Sequence, residues 1–398
     1  MAVTTTSPLS DRILEMSESA TIKMSQMARD LAAEGHNVIS LSLGEPDFDT
    51  PDHIKEAAIE AIRAGKTKYT AVDGTASLKQ AIIDKFKRDN GLDYAPDQIL
   101  VSSGGKQSFY NLAQAILDAG DEVIIPAPYW VSYPDMVLLA SGEPVIAKAK
   151  ADHNFKITPG QLRGLINENT RLFVINSPSN PTGMAYTMEE LRALGEVLLE
   201  YPKILIATDD MYEHILWTGK PFANILNAVP ELYDRTLVLN GVSKAYSMTG
   251  WRIGYAGGPA EIIKAMKKVQ SQSTSNPCSI SQAAAEAALT GPQECIAEML
   301  VAFKERHDYV VDRLNNIAGV ECLPSDGTFY CFPDITGMLA NMPNVNSDLD
   351  LAELLIEKAG VALVPGTAFG LAHHMRISIA TSMENLKSAL DRIEKFVS

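Results

Sequence analysis

Between about residue 98 and residue 258 one unit recurs: a short apolar run, a break rich in Gly, Pro, Asn or Asp, then a stretch at helical spacing. The runs are Gln98-Ile99-Leu100-Val101, Glu122-Val123-Ile124-Ile125, Arg171-Leu172-Phe173-Val174-Ile175, Ile204-Leu205-Ile206-Ala207-Thr208 and Thr236-Leu237-Val238-Leu239-Asn240. Strands that alternate with helices in this way pair in parallel, because each helix carries the chain back across a face of the sheet. The expectation is an α/β fold on a mostly parallel sheet covered on both faces. Open sheets of that kind bind ligands beyond the C-terminal ends of their strands. Chemistry is therefore to be sought in the breaks.

The break after the last run, Gly241 to Gly254, holds Lys244 among small residues and Arg252 eight positions later. A lysine amine there loses solvation of its charged form, which lowers its pKa and frees a nucleophile. An arginine offers a rigid, permanently charged fork for a phosphate. Reactive amine and phosphate clamp together suggest pyridoxal phosphate; two solvated surface cations would fit the same residue types. Ser102-Ser103-Gly104-Gly105-Lys106 joins a strand to a helix, a geometry that aims backbone N–H groups at an anion. It has neither the Walker A nor the GxGxxG spacing, so alone it is a weak signal. Trp130, after Pro126-Ala127-Pro128-Tyr129, suits either stacking on a flat heterocycle or ordinary packing. Asp209 ends an apolar strand, where a carboxylate is costly without a cationic partner such as a pyridinium nitrogen. Its neighbour Asp210 reads as a solvated loop residue.

Taken together these stretches resemble the class I aminotransferases, a fold-type-I pyridoxal-phosphate family. The match extends from the N-terminal segment almost to the end. Gly241 to Gly254 matches the cofactor-lysine signature, Asn176 to Gly183 the NxPxNPTG loop, Asp209 to Tyr212 the D-x-x-Y pattern, and Arg376-Ile377-Ser378 the R-[IL]-S pattern. The resemblance implies a seven-stranded sheet in a large domain (50–295) and a smaller α+β domain (296–398) completed by the N-terminal segment (1–49). It implies pyridoxal 5'-phosphate on Lys244, with the phosphate at Gly104, Gly105, Lys106 and Arg252 and with Ser243 also against the cofactor. Trp130 would stack on the ring, Asp209 would hold the ring nitrogen, and Asn180 and Tyr212 the phenolic oxygen. Gly44 and Arg376 would meet the substrate α-carboxylate, with Trp130 and Asn180 also beside the substrate. Tyr69 would reach the cofactor phosphate of a partner subunit, making a homodimer with shared sites.

The resemblance is greatest to bacterial aspartate aminotransferases of the I-beta type, some of which accept prephenate. Their distal-carboxylate threonine and lysine are matched by Thr21, in Ser19-Ala20-Thr21, and by Lys106. Prephenate-active members carry Lys-Pro just before that segment, where this chain has Ser17-Glu18. The expected reaction is therefore amino transfer between L-aspartate and 2-oxoglutarate, the alternative being prephenate, arogenate or broader aromatic activity. A lyase or decarboxylase could use the same residues. A ligand-sensing regulator on this fold would carry a basic DNA-binding module, and none is visible. The balance of 34 basic and 49 acidic residues, −15, also argues against nucleic acid and anionic membranes. No signal sequence or run of ~20 apolar residues is seen. The four cysteines lack CxxC spacing, as expected of free thiols in a reducing cytoplasm and not of a metal site.

Overall fold

The computed structural model describes residues 8–14, 16 and 20–397, so Ser17-Glu18 and Ser19 lie outside the described residues. Seven strands form the large sheet: β1 (Ile99–Ser102), β2 (Glu122–Ala127), β3 (Glu143–Lys148), β4 (Thr170–Asn176), β5 (Leu205–Asp209), β6 (Thr236–Gly241) and β7 (Gly254–Gly257). Their order is β1-β7-β6-β5-β4-β2-β3, and β7 alone runs antiparallel to its neighbours. The expected mostly parallel seven-stranded α/β architecture is borne out.

Alternation along each strand divides the core between the two faces. Val123, Ile125, Leu172, Val174, Leu237 and Leu239 pack into one apolar cluster. Ile124, Phe173, Ile175 and Val238, one residue out of step, pack into the other. Burial on both faces explains why the runs read as continuous apolar segments. Two strands were not legible as such. β3 is an edge strand carrying an exposed Glu143 and Lys148. β7 reads Gly-Tyr-Ala-Gly, a poor strand former, yet a Cβ at Gly254 would lie 2.3 Å from the Gly105 nitrogen. That glycine lets β7 press against the start of the helix Gly105–Ile116.

A further core joins both ends of the chain. Met24, Ala28, Ile39 and Leu41 pack with Phe303, Val310, Leu314, Ile377, Leu386 and Ile393. Ile39–Ser40 pairs in parallel with Val361–Ala362, and Met375–Ser378 pairs with Tyr330–Cys331. Ile39–Ser40 and Tyr330–Cys331 are each only two residues long. The rest of the first segment leaves its pairing at Ser42 and Leu43 to line the cavity described below.

Beneath the large sheet lies a buried ion pair. Lys85 Nζ donates to Glu213, whose carboxylate also accepts from Asn90 and Asn240, each at 2.7 Å. The ammonium beside it holds Glu213 down to about 2 against the opposing effect of burial. Lys85→Met strands that carboxylate and is expected to cost about 3–5 kcal/mol in equilibrium denaturation. Lys85→Met/Glu213→Leu should recover more than half. A cost below about 1 kcal/mol for the single change would rule out the pair as a major stabilising element.

Candidate active site

The C-terminal ends of β1, β2, β4, β5 and β6 open on one side of the sheet, as crevice geometry requires. There they meet the segment 43–45 and the strand Met375–Ser378 around a cavity of about 340 Å³. Of the residues singled out in the sequence, Thr21, Gly44, Gly105, Lys106, Trp130, Asn180, Asp209, Tyr212, Ser243, Lys244, Arg252 and Arg376 line it. Gly104 stands just behind. Tyr69 does not reach it: 92% exposed on the single chain, it borders a separate groove with Lys66, Lys68 and Ser279.

Lys244 follows β6 by three residues and is half-buried. Its Nζ donates to the Gly44 carbonyl and lies 5.8 Å from the ring centroids of Tyr212 and Phe329. Burial, helped by the Arg376 and Arg252 charges, pushes the ammonium down to about 8.

Asp209 ends β5. Its carboxylate accepts from Tyr133 Oη and, at 3.3 Å, from the Met211 N–H. Burial raises its pKa against those two donors. Asn176, the last residue of β4, brackets the site: its Nδ2 donates to Asp209 O at 3.0 Å and its Oδ1 accepts from Asn180 N at 2.8 Å. Asp210 corrects the sequence reading, since it is buried and not solvated. Its N–H bonds the Leu239 carbonyl, and its side chain turns inward to accept from Thr208 Oγ1 and Asn224 Nδ2. Burial and the nearby Glu213 push its carboxyl up to about 8.

At the phosphate end, Gly104 adopts φ +91° as the cap of Gly105–Ile116. A Cβ there would lie 2.3 Å from Arg252 Nη2, so only glycine lets the guanidinium come this close. The first N–H groups of that helix have no intrahelical acceptor. With Arg252, Lys106 and the neighbouring Ser243 hydroxyl they make a cationic, donor-rich cradle, in which burial, helped by the Arg252 charge, lowers the Lys106 pKa. At the other end the buried Arg376 donates to Asn180 Oδ1 (3.0 Å) and to Ser42 O (2.7 Å), while its Nε has no partner among the described residues. The buried Thr21 Oγ1 has none among them either.

These features fit pyridoxal phosphate: an anion cradle, a depressed amine, a buried carboxylate and a guanidinium with a spare donor face one cavity. Trp130 forms part of the wall, with Lys106 Nζ 5.3 Å from its ring centroid. Sequence reasoning missed Tyr133, Tyr330, Asn176 and Glu45, of which all but Tyr133 line the cavity directly. Asn176 alone carried a signal, as the polar end of an apolar run. The hydroxyl partners of Tyr133 and Tyr330 are 76 and 118 residues away, a distance no local pattern records.

Residues 36–393 match the aminotransferase class I and II family. The chain is 59% identical over 395 residues to an aspartate/prephenate aminotransferase of Nitrosomonas europaea, covering 98% of this chain and all of the relative. It is 55% identical to an aspartate/prephenate aminotransferase of Cereibacter sphaeroides, with 98% of each chain covered. The crystal structure of an aspartate aminotransferase from Rhizobium meliloti superposes with a TM-score of 0.95 at 49% identity, covering 98% of this chain and 99% of that one.

Proposed function

Because this chain belongs to the aminotransferase class I and II family, we propose that it moves the amino group of L-aspartate to 2-oxoglutarate by a ping-pong mechanism on pyridoxal 5'-phosphate. The observation that carries this reading is a buried guanidinium, its Nε without a partner among the described residues, in the same cavity as a depressed lysine amine. The first is a seat for a carboxylate; the second is a base beside it.

Lys244 would hold the aldehyde end of the cofactor, and Arg252, Ser243 and the Gly104-Gly105-Lys106 turn its phosphate. Asp209 would face the ring nitrogen, Asn180 and Tyr212 the ring oxygen, and Trp130 one face of the ring. When bound, the cofactor supplies a sink for the electron pair left as the α-proton departs. Lys244 Nζ takes that proton and returns it one position away. A pKa of about 8 leaves roughly a tenth of the amines neutral at pH 7, close enough to serve as base and then acid. Asp209 would place its carboxylate at the ring nitrogen, with the Tyr133 hydroxyl favouring the ionised form against burial. Arg376 clamps the α-carboxylate and fixes which bond faces Lys244. Thr21 Oγ1 and Lys106 would bind the distal carboxylate. The large unit 50–295 would carry the cofactor, and 1–49 with 296–398 the smaller unit.

A homodimer in the cytoplasm completes the reading, with Tyr69 reaching the neighbouring site. Its exposed phenol and the exposed Ile59 and Ile62 support a covered face there. Among the described residues no helix is long and apolar enough to cross a membrane. A second reading, amino transfer to prephenate as well, is favoured by the names of the two relatives above. A single-turnover absorbance titration separates the two. Aspartate and glutamate should each convert the bound cofactor, and L-arogenate should react only if prephenate chemistry operates without the Lys-Pro pair. Conversion by tyrosine but not aspartate would overturn the dicarboxylate assignment.

A further inference from the structure

The hydroxyl of Tyr330 has no role in the account above. It lies 3.0 Å from the hydroxyl of Tyr212, its one hydrogen-bond partner among the described residues. Both rings are buried, and burial raises both phenols, so both keep their protons. The Tyr330 ring is held from two sides. The Arg376 guanidinium sits 4.6 Å from its centroid, and a Cβ on Gly44 would lie 2.7 Å from its hydroxyl. Its strand is paired to the one that carries Arg376, with Tyr330 opposite Ser378. The side chain therefore has little freedom to turn elsewhere.

We propose that Tyr330 is a positioning residue: it donates to Tyr212 and so directs the Tyr212 proton into the cavity, toward the ring oxygen of the cofactor. This rests on the transaminase reading. Two hydroxyls in contact share one proton, so one donates and the other accepts. Were Tyr212 the donor, its oxygen would turn only lone pairs to the cavity and repel an anionic oxygen. With Tyr330 as donor, the Tyr212 proton is free, and accepting one bond polarises it into a stronger donor. The cation over the Tyr330 ring favours that direction by drawing charge from its oxygen. Gly44 acquires a reason as well: a side chain there would push the Tyr330 hydroxyl off its line.

The test is the pH midpoint of the visible absorption of the bound cofactor in four holoenzymes: wild type, Tyr330→Phe, Tyr212→Phe and the double variant. A weaker donor disfavours the anionic ring oxygen, so Tyr330→Phe should raise the midpoint by about half to one pH unit. The shift should vanish in the Tyr212→Phe background. Maleate binding, set by Arg376, should stay within about twofold in Tyr330→Phe, which separates lost positioning from a disturbed site. An unchanged midpoint, or an equal shift with and without the Tyr212 hydroxyl, overturns the proposal. If the wild type binds no pyridoxal phosphate, or aspartate leaves its spectrum unchanged, the transaminase reading fails and this inference with it. That outcome is read from the wild type alone.

Discussion

Lys244→Ala is expected to lose single-turnover conversion of aspartate by a factor on the order of 10⁴, because it removes the group that moves the proton. Of the other cations lining the cavity, Lys106 lies under the charge of Arg252 in the phosphate cradle, and the Arg376 guanidinium does not deprotonate. Borohydride reduction followed by peptide mass analysis gives a second readout: the wild type should carry the cofactor on the Lys244 peptide, and the variant should not. The variant should still bind pyridoxal phosphate reversibly through the cradle around Gly104 and Arg252. Near-normal turnover by Lys244→Ala would end the assignment of Lys244 as base.

Asp209→Asn keeps the size of the side chain and removes its charge. Charge stabilisation at the ring nitrogen is worth on the order of 10²–10³ in rate in a water-poor site, and that is the expected loss. Tyr133→Phe should act through the same carboxylate to a smaller extent. Its hydroxyl favours the ionised form of Asp209, so losing it raises a pKa that burial has already raised. Activity requires ionised Asp209 and falls as pH drops through that pKa. The acid limb of kcat/KM should therefore move to higher pH in Tyr133→Phe, by about one unit for a loss near 1.4 kcal/mol. An unmoved limb would mean that Tyr133 merely packs.

How far the site was legible follows from where each signal resides. Lys244, Asp209 and the loop at Gly104 stand at strand ends, and the order of runs and breaks marks strand ends without any tertiary knowledge. Arg376 is different: an arginine before an apolar run is ordinary. Only the fold reveals that it is buried, stacked on Tyr330 and Phe369, and bonded to Asn180 across 196 residues. Asp210 misled because adjacent acids at a strand end look alike in sequence. The side chain of Asp209 faces the cavity, while that of Asp210 turns into the polar network around Lys85 and Asn224. Strand β7 was missed because its glycines serve close approach, which no propensity records.

The core shared by the two chain ends has a consequence for biosynthesis. A ribosome releases Met24, Ile39 and Leu41 early, yet their partners at Val361, Ile377 and Leu386 emerge last. The large sheet can close while the chain is still being made; the compartment that holds Arg376 cannot. Arg376 gains its walls only once the strand Met375–Ser378 and the helix Met383–Val397 have been made. Until those elements are made, the first apolar segment lacks the side chains it packs against.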